Sequence, residues 1–173
     1  AGADMCVQST HKILGAMSQG SVLHVNSDLV DINQVRKILS ILQTTSPNYL
    51  TLASLDAARK QIYFHGEKIF SRLIKLAEQA RDRLNRLQRV YAITQGEIRA
   101  KGYDLDVTKL TLNVTRTGLS GHDVEDLLAK KYHIQVDCAD LFNLIAIMGV
   151  GTSRDDVERL VSAMEEIDRM DVG

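Results

Sequence analysis

GADMCVQSTHKILGAMSQGSVLHV, residues 2–25, decides how the rest of this chain is read. Residues 4–9 (DMCVQS) have the length and composition of a short buried strand. Residues 21–25 (SVLHV) alternate well enough for a second strand. Between them come Ser9, Thr10, His11 and Lys12, then Gly15 and Gly20, which punctuate a loop. An ε-amine becomes a useful nucleophile only when its pKa falls or when its charge is given up in a Schiff base. The hydroxyls of Ser9 and Thr10 and the ring of His11 form a reasonable set for one phosphate plus one covalent link to Lys12. Alone, a Ser-x-His-Lys tetrapeptide occurs by chance, and a loop lysine is ordinarily just solvated.

Outward from that stretch the chain turns helical. Asp31 opens a helix, with Gln34 three residues on as its capping partner and Ile32, Val35, Ile38, Leu39 and Leu42 as its apolar face. Residues 44–49 (TTSPNY) hold the only proline, Pro47, which drives Ser46 out of the helical region and ends that helix. Helical spacing resumes over residues 50–64, Gly66 permits a break, and an amphipathic segment runs from Glu67 to about Ala92. The charge run ARDRLNRLQR within it reads as a solvated helix face.

After residues 100–106 (AKGYDLD) the period changes. Residues 108–115 (TKLTLNVT) alternate, with Leu110, Leu112 and Val114 facing one way, which is a half-buried strand. Ser120 with Asp123 makes a capping box for a helix through Val124, Leu127 and Leu128. Residues 133–137 alternate again, and residues 141–148 form a continuous apolar strand. Thr152 and Ser153, each with Asp three residues later, cap a last helix lined by Val157, Leu160, Val161, Met164 and Ile167. From residue 108 the order is therefore β-α-β-β-α, which suits two helices on one face of a small, mostly antiparallel sheet. The fold class is α/β, and we divide the chain near the middle of the long helix, into residues 1–80 and 81–173.

Composition narrows the function. The 173 residues are enough for one good core or two small ones. A net charge of −1 gives no footprint for a nucleic-acid or membrane partner, and no apolar run is long enough to span a bilayer. Two cysteines, Cys6 and Cys138, lack zinc spacing and read as reduced, buried thiols of a cytoplasmic protein. His24, His65, His122 and His133 show no ligand spacing and read as structural or surface residues. The glycines of GVGTS lack the Lys-Ser/Thr ending of a P-loop and read as a strand-to-helix turn. The chain opens with Ala-Gly-Ala-Asp, which is no secretory signal, and its start on the approach to a strand reads as a processed or excised piece.

The wider pattern adds to this. GADMCVQSTHKILGAMSQGSVLHV, followed by LQTTSPNYLTLASLDAARK and later by ADLFNLIAIMGVG, resembles the Orn/Lys/Arg decarboxylases, pyridoxal-phosphate enzymes of the aspartate-aminotransferase-like class. The resemblance covers nearly the whole chain and is most specific around Lys12 and in the Thr-Thr-Ser-Pro block. It implies that residues 1–80 are the tail of the large pyridoxal-phosphate-binding domain with the start of the linking helix. Residues 81–173 would be the small C-terminal α/β domain. Lys12 would be the Schiff-base lysine, and Ser9 and His11 would approach the phosphate. Thr44 would reach the cofactor phosphate of a neighbouring subunit in a dimer or higher homo-oligomer. Arg116 is one candidate for a substrate carboxylate.

The implied reaction is decarboxylation of arginine, lysine or ornithine to a polyamine-type amine and carbon dioxide, with the pyridinium ring as electron sink and His11 or Lys12 returning the proton. The family also needs an acid against the pyridine nitrogen, a ring-stacking side chain and a further phosphate loop, all upstream of the lysine. Only eleven residues precede Lys12, so this chain alone is expected to be inactive. A non-catalytic remnant or interaction module of the same fold, and a fold-related aminotransferase, are the competing expectations.

Overall fold

Residues 2–171 are described by the computed structural model, and they divide into two units at Gly66 and Glu67, inside one helix. In the first unit, β1 (Met5–Gln8) and β2 (Val22–Val25) form an antiparallel ribbon with Met5 opposite Val25 and Gln8 opposite Val22. A single turn of helix, α1 (Thr10–Ile13), follows β1. The ribbon departs from the expectation of a buried strand, because Val7 is 69% exposed and every residue of β1 lies open. A two-stranded ribbon has no flanking strand to pair with, and no layer covers it among the described residues of this unit.

Helix α2 (Ile32–Leu42) begins where the Asp31 carboxylate accepts the N–H groups of Asn33 (2.9 Å) and Gln34 (3.4 Å), which otherwise lack intrahelical partners. Its apolar face exists as sequence but buries nothing. Helix α3 (Tyr49–Leu84) starts just after Pro47, with the Asn48 side chain accepting from Leu50 and Thr51.

Two expectations for α3 fail. It does not break at Gly66, since a glycine inside a long helix costs only about 1 kcal/mol and its neighbours carry it. Nor does it reach Ala92: it stops at Leu84, and Tyr91–Ala92 is strand β3. Two side chains supply the reason. The Asn85 amide pairs with Ala92 in both directions, accepting its N–H at 2.7 Å and donating to its carbonyl at 2.9 Å. The Asp168 carboxylate accepts the N–H groups of Gln88, Arg89 and Val90 at 3.2, 2.6 and 3.2 Å. These long-range bonds satisfy backbone that a longer helix would have satisfied itself.

The second unit continues with α4 (Gln95–Ala100), β4 (Lys109–Asn113), α5 (Gly121–Lys130), β5 (Cys138–Ala139), β6 (Asn143–Ile147) and α6 (Arg154–Arg169). The strands form one antiparallel sheet in the order β3-β4-β6-β5. The β-α-β-β-α order thus holds from β4 onward, with β3 and α4 as unexpected additions. Leu110, Leu112 and Val114 are fully buried, as their alternation requires. They join one core with Leu73 and Leu84 of α3, Val124 and Leu128 of α5, and Val161, Met164 and Ile167 of α6. Capping boxes at Ser120/Asp123 and Ser153/Asp156 start α5 and α6. Thr152 does not cap; its hydroxyl accepts from Gly149 N–H at 3.0 Å instead.

The strand expected at residues 133–137 is a loop, and β5 begins only at Cys138. His133 has φ of 55°, which interrupts extension, and Arg159 holds the Tyr132 and His133 carbonyls at 3.2 Å each. Both cysteines are exposed rather than buried: Cys6 sits on the open ribbon and Cys138 on the sheet's edge strand. Arg81, expected on a solvated helix face, is 6% exposed. Its guanidinium donates to the carbonyls of Ile93 (2.9 Å), Val107 (3.0 Å) and Lys109 (3.3 Å), and burial pulls its pKa down.

Candidate functional site

Ser9, His11 and Lys12 stand on the turn that leaves β1. Ser9 occupies the N-cap position of α1, yet its hydroxyl caps nothing. The turn is closed by backbone bonds instead, from Lys12 N–H to Ser9 O (3.2 Å) and from Leu14 N–H to Thr10 O (3.0 Å). Thr10 is 7% exposed, so one of the two hydroxyls suggested by the sequence faces inward. His11 is half-buried, and Ser9 and Lys12 are exposed. An exposed amine, an uncommitted hydroxyl and an imidazole thus fall within four consecutive residues. That donor set suits one covalent link and one anionic group.

The segment after the turn folds back on it. Gly15 takes φ of 81°, the left-handed region where a Cβ is penalised. Gly20 then comes against the turn, its carbonyl accepting the His11 N–H at 3.2 Å, with the His11 Nδ1 2.8 Å away. Helix α3 supports this segment: Met17 N–H donates to the Ser54 hydroxyl at 3.0 Å, and the Gly20 backbone lies against Leu55. The sequence marked Gly20 only as a breaker. A contact from a glycine carbonyl to a side chain nine residues away leaves no signature in composition or period.

Thr44 lies elsewhere in the same unit, in the exposed connection between α2 and α3. Its Oγ1 accepts the Ser46 N–H at 3.1 Å, which turns the loop and leaves the hydroxyl hydrogen to donate. Arg116 belongs to the second unit, exposed in a 3₁₀ turn over Thr115–Thr117. Among the described residues no group of three or more His, Cys, Asp or Glu could hold a metal, and no helix is long and apolar enough to cross a membrane.

The model of the Orn/Lys/Arg decarboxylase major domain matches residues 3–156, most of the chain. The chain belongs to the Orn/Lys/Arg decarboxylase family. An arginine decarboxylase of Bacillus subtilis is 43% identical over 168 residues, covering 96% of this chain and 34% of the relative. One from Halalkalibacterium halodurans is 41% identical over 170 residues, again covering 96% of this chain and 34% of the relative. The chain therefore spans about a third of the length of these relatives. Among solved structures, the lysine decarboxylase of Francisella novicida aligns with a TM-score of 0.75 at 23% identity, over 95% of this chain and 28% of that one. An alanine–glyoxylate aminotransferase from Nostoc aligns at 0.72 and 20% identity, over 97% of this chain and 48% of that one. At those identities the structures speak for the fold, which decarboxylases and aminotransferases share.

Proposed function

We propose that this chain is the lysine-bearing part of a pyridoxal-phosphate-dependent decarboxylase of basic amino acids, with arginine the first substrate to test. Family membership supports decarboxylation. The two arginine decarboxylases above match over nearly the whole chain, whereas the constitutive lysine decarboxylase of Escherichia coli matches over 47% of it. The single observation that carries the site is the turn after β1, where Lys12 is exposed beside a Ser9 hydroxyl that caps nothing. Lys12 attaches the cofactor, Ser9 meets its phosphate, and His11 lies at the same group. Bound there, the cofactor supplies an electron sink for the pair left on the α-carbon when carbon dioxide departs. His11 or Lys12 returns a proton to that carbon.

In this reading residues 1–80 are the tail of the cofactor-holding domain with the start of the linking helix, and residues 81–173 are the small domain. The enzyme works in the cytoplasm as a homo-oligomer, with Thr44 reaching a neighbouring subunit's phosphate and the product a polyamine-type amine. Support for an interface there comes from the apolar residues flanking residues 44–47: Ile41, Leu42, Tyr49 and Leu50 are all at least 69% exposed. The 173-residue chain by itself is proposed to have no turnover, because a lone lysine gives little electrophilic catalysis without an acid at the pyridine nitrogen. Borohydride reduction of the holoenzyme followed by peptide mapping tests the reading. A phosphopyridoxyl group on Lys12 is expected, and one on any other lysine overturns it.

A further inference from the structure

The contact that His11 makes through Nδ1 determines which ring nitrogen carries hydrogen. Nδ1 lies 2.8 Å from the carbonyl oxygen of Gly20, and the His11 backbone N–H donates to the same oxygen at 3.2 Å. A carbonyl oxygen only accepts, so Nδ1 donates. In the neutral ring Nε2 is then left with its lone pair and no hydrogen.

Gly20 is itself held from several sides. Its N–H donates to the Met17 carbonyl at 3.1 Å, and Met17 in turn donates to Ser54. The residue is buried, and an added Cβ would come within 3.0 Å of Leu55 Cδ2, 3.1 Å of Met17 O and 3.3 Å of Ala16 Cβ. Only a residue without a side chain lets that carbonyl approach the turn without displacing its neighbours. Gln19 before it takes φ of 76°, so the peptide is aimed by an uncommon backbone conformation.

We propose that Gly20 is the positioning residue of the lysine turn, and that its carbonyl assigns His11 the Nδ1–H tautomer and leaves Nε2 as an acceptor. The functional meaning rests on the reading of Lys12 as the cofactor lysine; the tautomer itself belongs to this chain. A neutral His11 held this way offers no hydrogen at Nε2 to a phosphate oxygen. It accepts from an N–H or O–H of the bound molecule, or takes a proton there. Donation to a phosphate from Nε2 is confined to the doubly protonated ring.

Nuclear magnetic resonance on the 173-residue chain labelled with nitrogen-15 in histidine reads the tautomer directly. Two-bond hydrogen–nitrogen correlations show which ring nitrogen is protonated, and the His11→Gln variant identifies the His11 signals among those of the five histidines. The neutral ring is expected in the Nδ1–H form. An Nε2–H ring, or the rapidly averaged mixture of a free imidazole, overturns the proposal. A second arm uses the holoenzyme. His11→Asn keeps an N–H donor in the place of Nδ1, whereas His11→Gln puts one in the place of Nε2. The yield of phosphopyridoxyl-Lys12 after borohydride should fall in both variants, and less in His11→Asn than in His11→Gln. Equal yields in both variants would overturn the positioning role. If Lys12 carries no label even in the wild type, the cofactor reading fails while the tautomer result stands, so the two failures are separable.

Discussion

The two units of this chain put similar sequence patterns to different ends. In the second, Leu110, Leu112, Leu144, Met164 and Ile167 lose all their exposure in one shared core. In the first, Ile41 stays 71% exposed and Val7 69%, although each sits in a segment that reads as plainly as those. The first unit buries only Thr10, Ala16, Gly20, Ala58 and Gly66 among the described residues, and such small groups remove little apolar area from water. The first unit too has capped helices and paired strands, with Asp31 and Asn48 at the starts of α2 and α3 and β1 paired to β2. Caps and pairing alone bury little apolar surface, and burial is what sets how firmly an element stays folded.

Hydrogen exchange on the 173-residue chain is the largest test of that contrast. Amides of β4, β6 and α6 should exchange only through global unfolding, and those of β1, β2 and α2 through local opening. A gap of about 3 kcal/mol, roughly a hundredfold in protection, is the expected size. Equal protection in the two units would remove the distinction.

A pair of glycines sharpens it at single-residue scale. A Cβ added to Gly121 would lie 2.3 Å from Asp140 O and 2.4 Å from Asn143 O, both backbone atoms of the β5–β6 hairpin. Asp140 N–H donates to that same Asn143 oxygen at 2.8 Å, so neither can retreat cheaply. Gly121→Ala should therefore cost about 1–3 kcal/mol or more, read as a lowered urea midpoint. At Gly20 the nearest atom is the far end of the Leu55 side chain, which can rotate away, so Gly20→Ala should cost less. The reverse ranking would mean that the first unit is the more tightly set.

How much of this was legible follows from the same division. The alternation of residues 108–115, the capping boxes at Ser120 and Ser153, and the stripe of α6 are local signals, and each element stands where they put it. The break between β1 and β2 was legible too, because its residues are contiguous. What escaped depends on distant partners. Strand β3 forms because Asn85 and Asp168 catch the chain, and Arg81 is buried because three carbonyls from later segments receive it. The amphipathic pattern from Glu67 to about Ala92 gives no hint of either. Gly20 escaped for the same reason, its part being played by a carbonyl, which every residue has.

The smallest effect concerns the start of α4, an element of the second unit with no buried residue of its own. Glu97 Oε2 accepts from the Thr94 hydroxyl (2.6 Å), the Thr94 N–H (2.9 Å) and the Tyr91 hydroxyl. These bonds, the Thr94 hydroxyl first, hold the Glu97 carboxyl down at about 2 against an ordinary 4.5. A folded-state value below the unfolded one means that the unfolded chain takes up the proton first as the solution is acidified. The contribution is thus complete above about 4.5 and drains away as the pH falls through about 2. Tyr91 belongs to β3, so the carboxylate ties α4 to the edge of the sheet rather than to its own helix alone. Glu97→Gln keeps the shape and removes the titration. The stability difference between wild type and variant should be largest near neutrality and should shrink between about 4.5 and about 2, in urea titrations followed across that window. A difference that stays constant over the same range would show that the exposed carboxylate only decorates the helix start, and that α4 is held by the sheet without it.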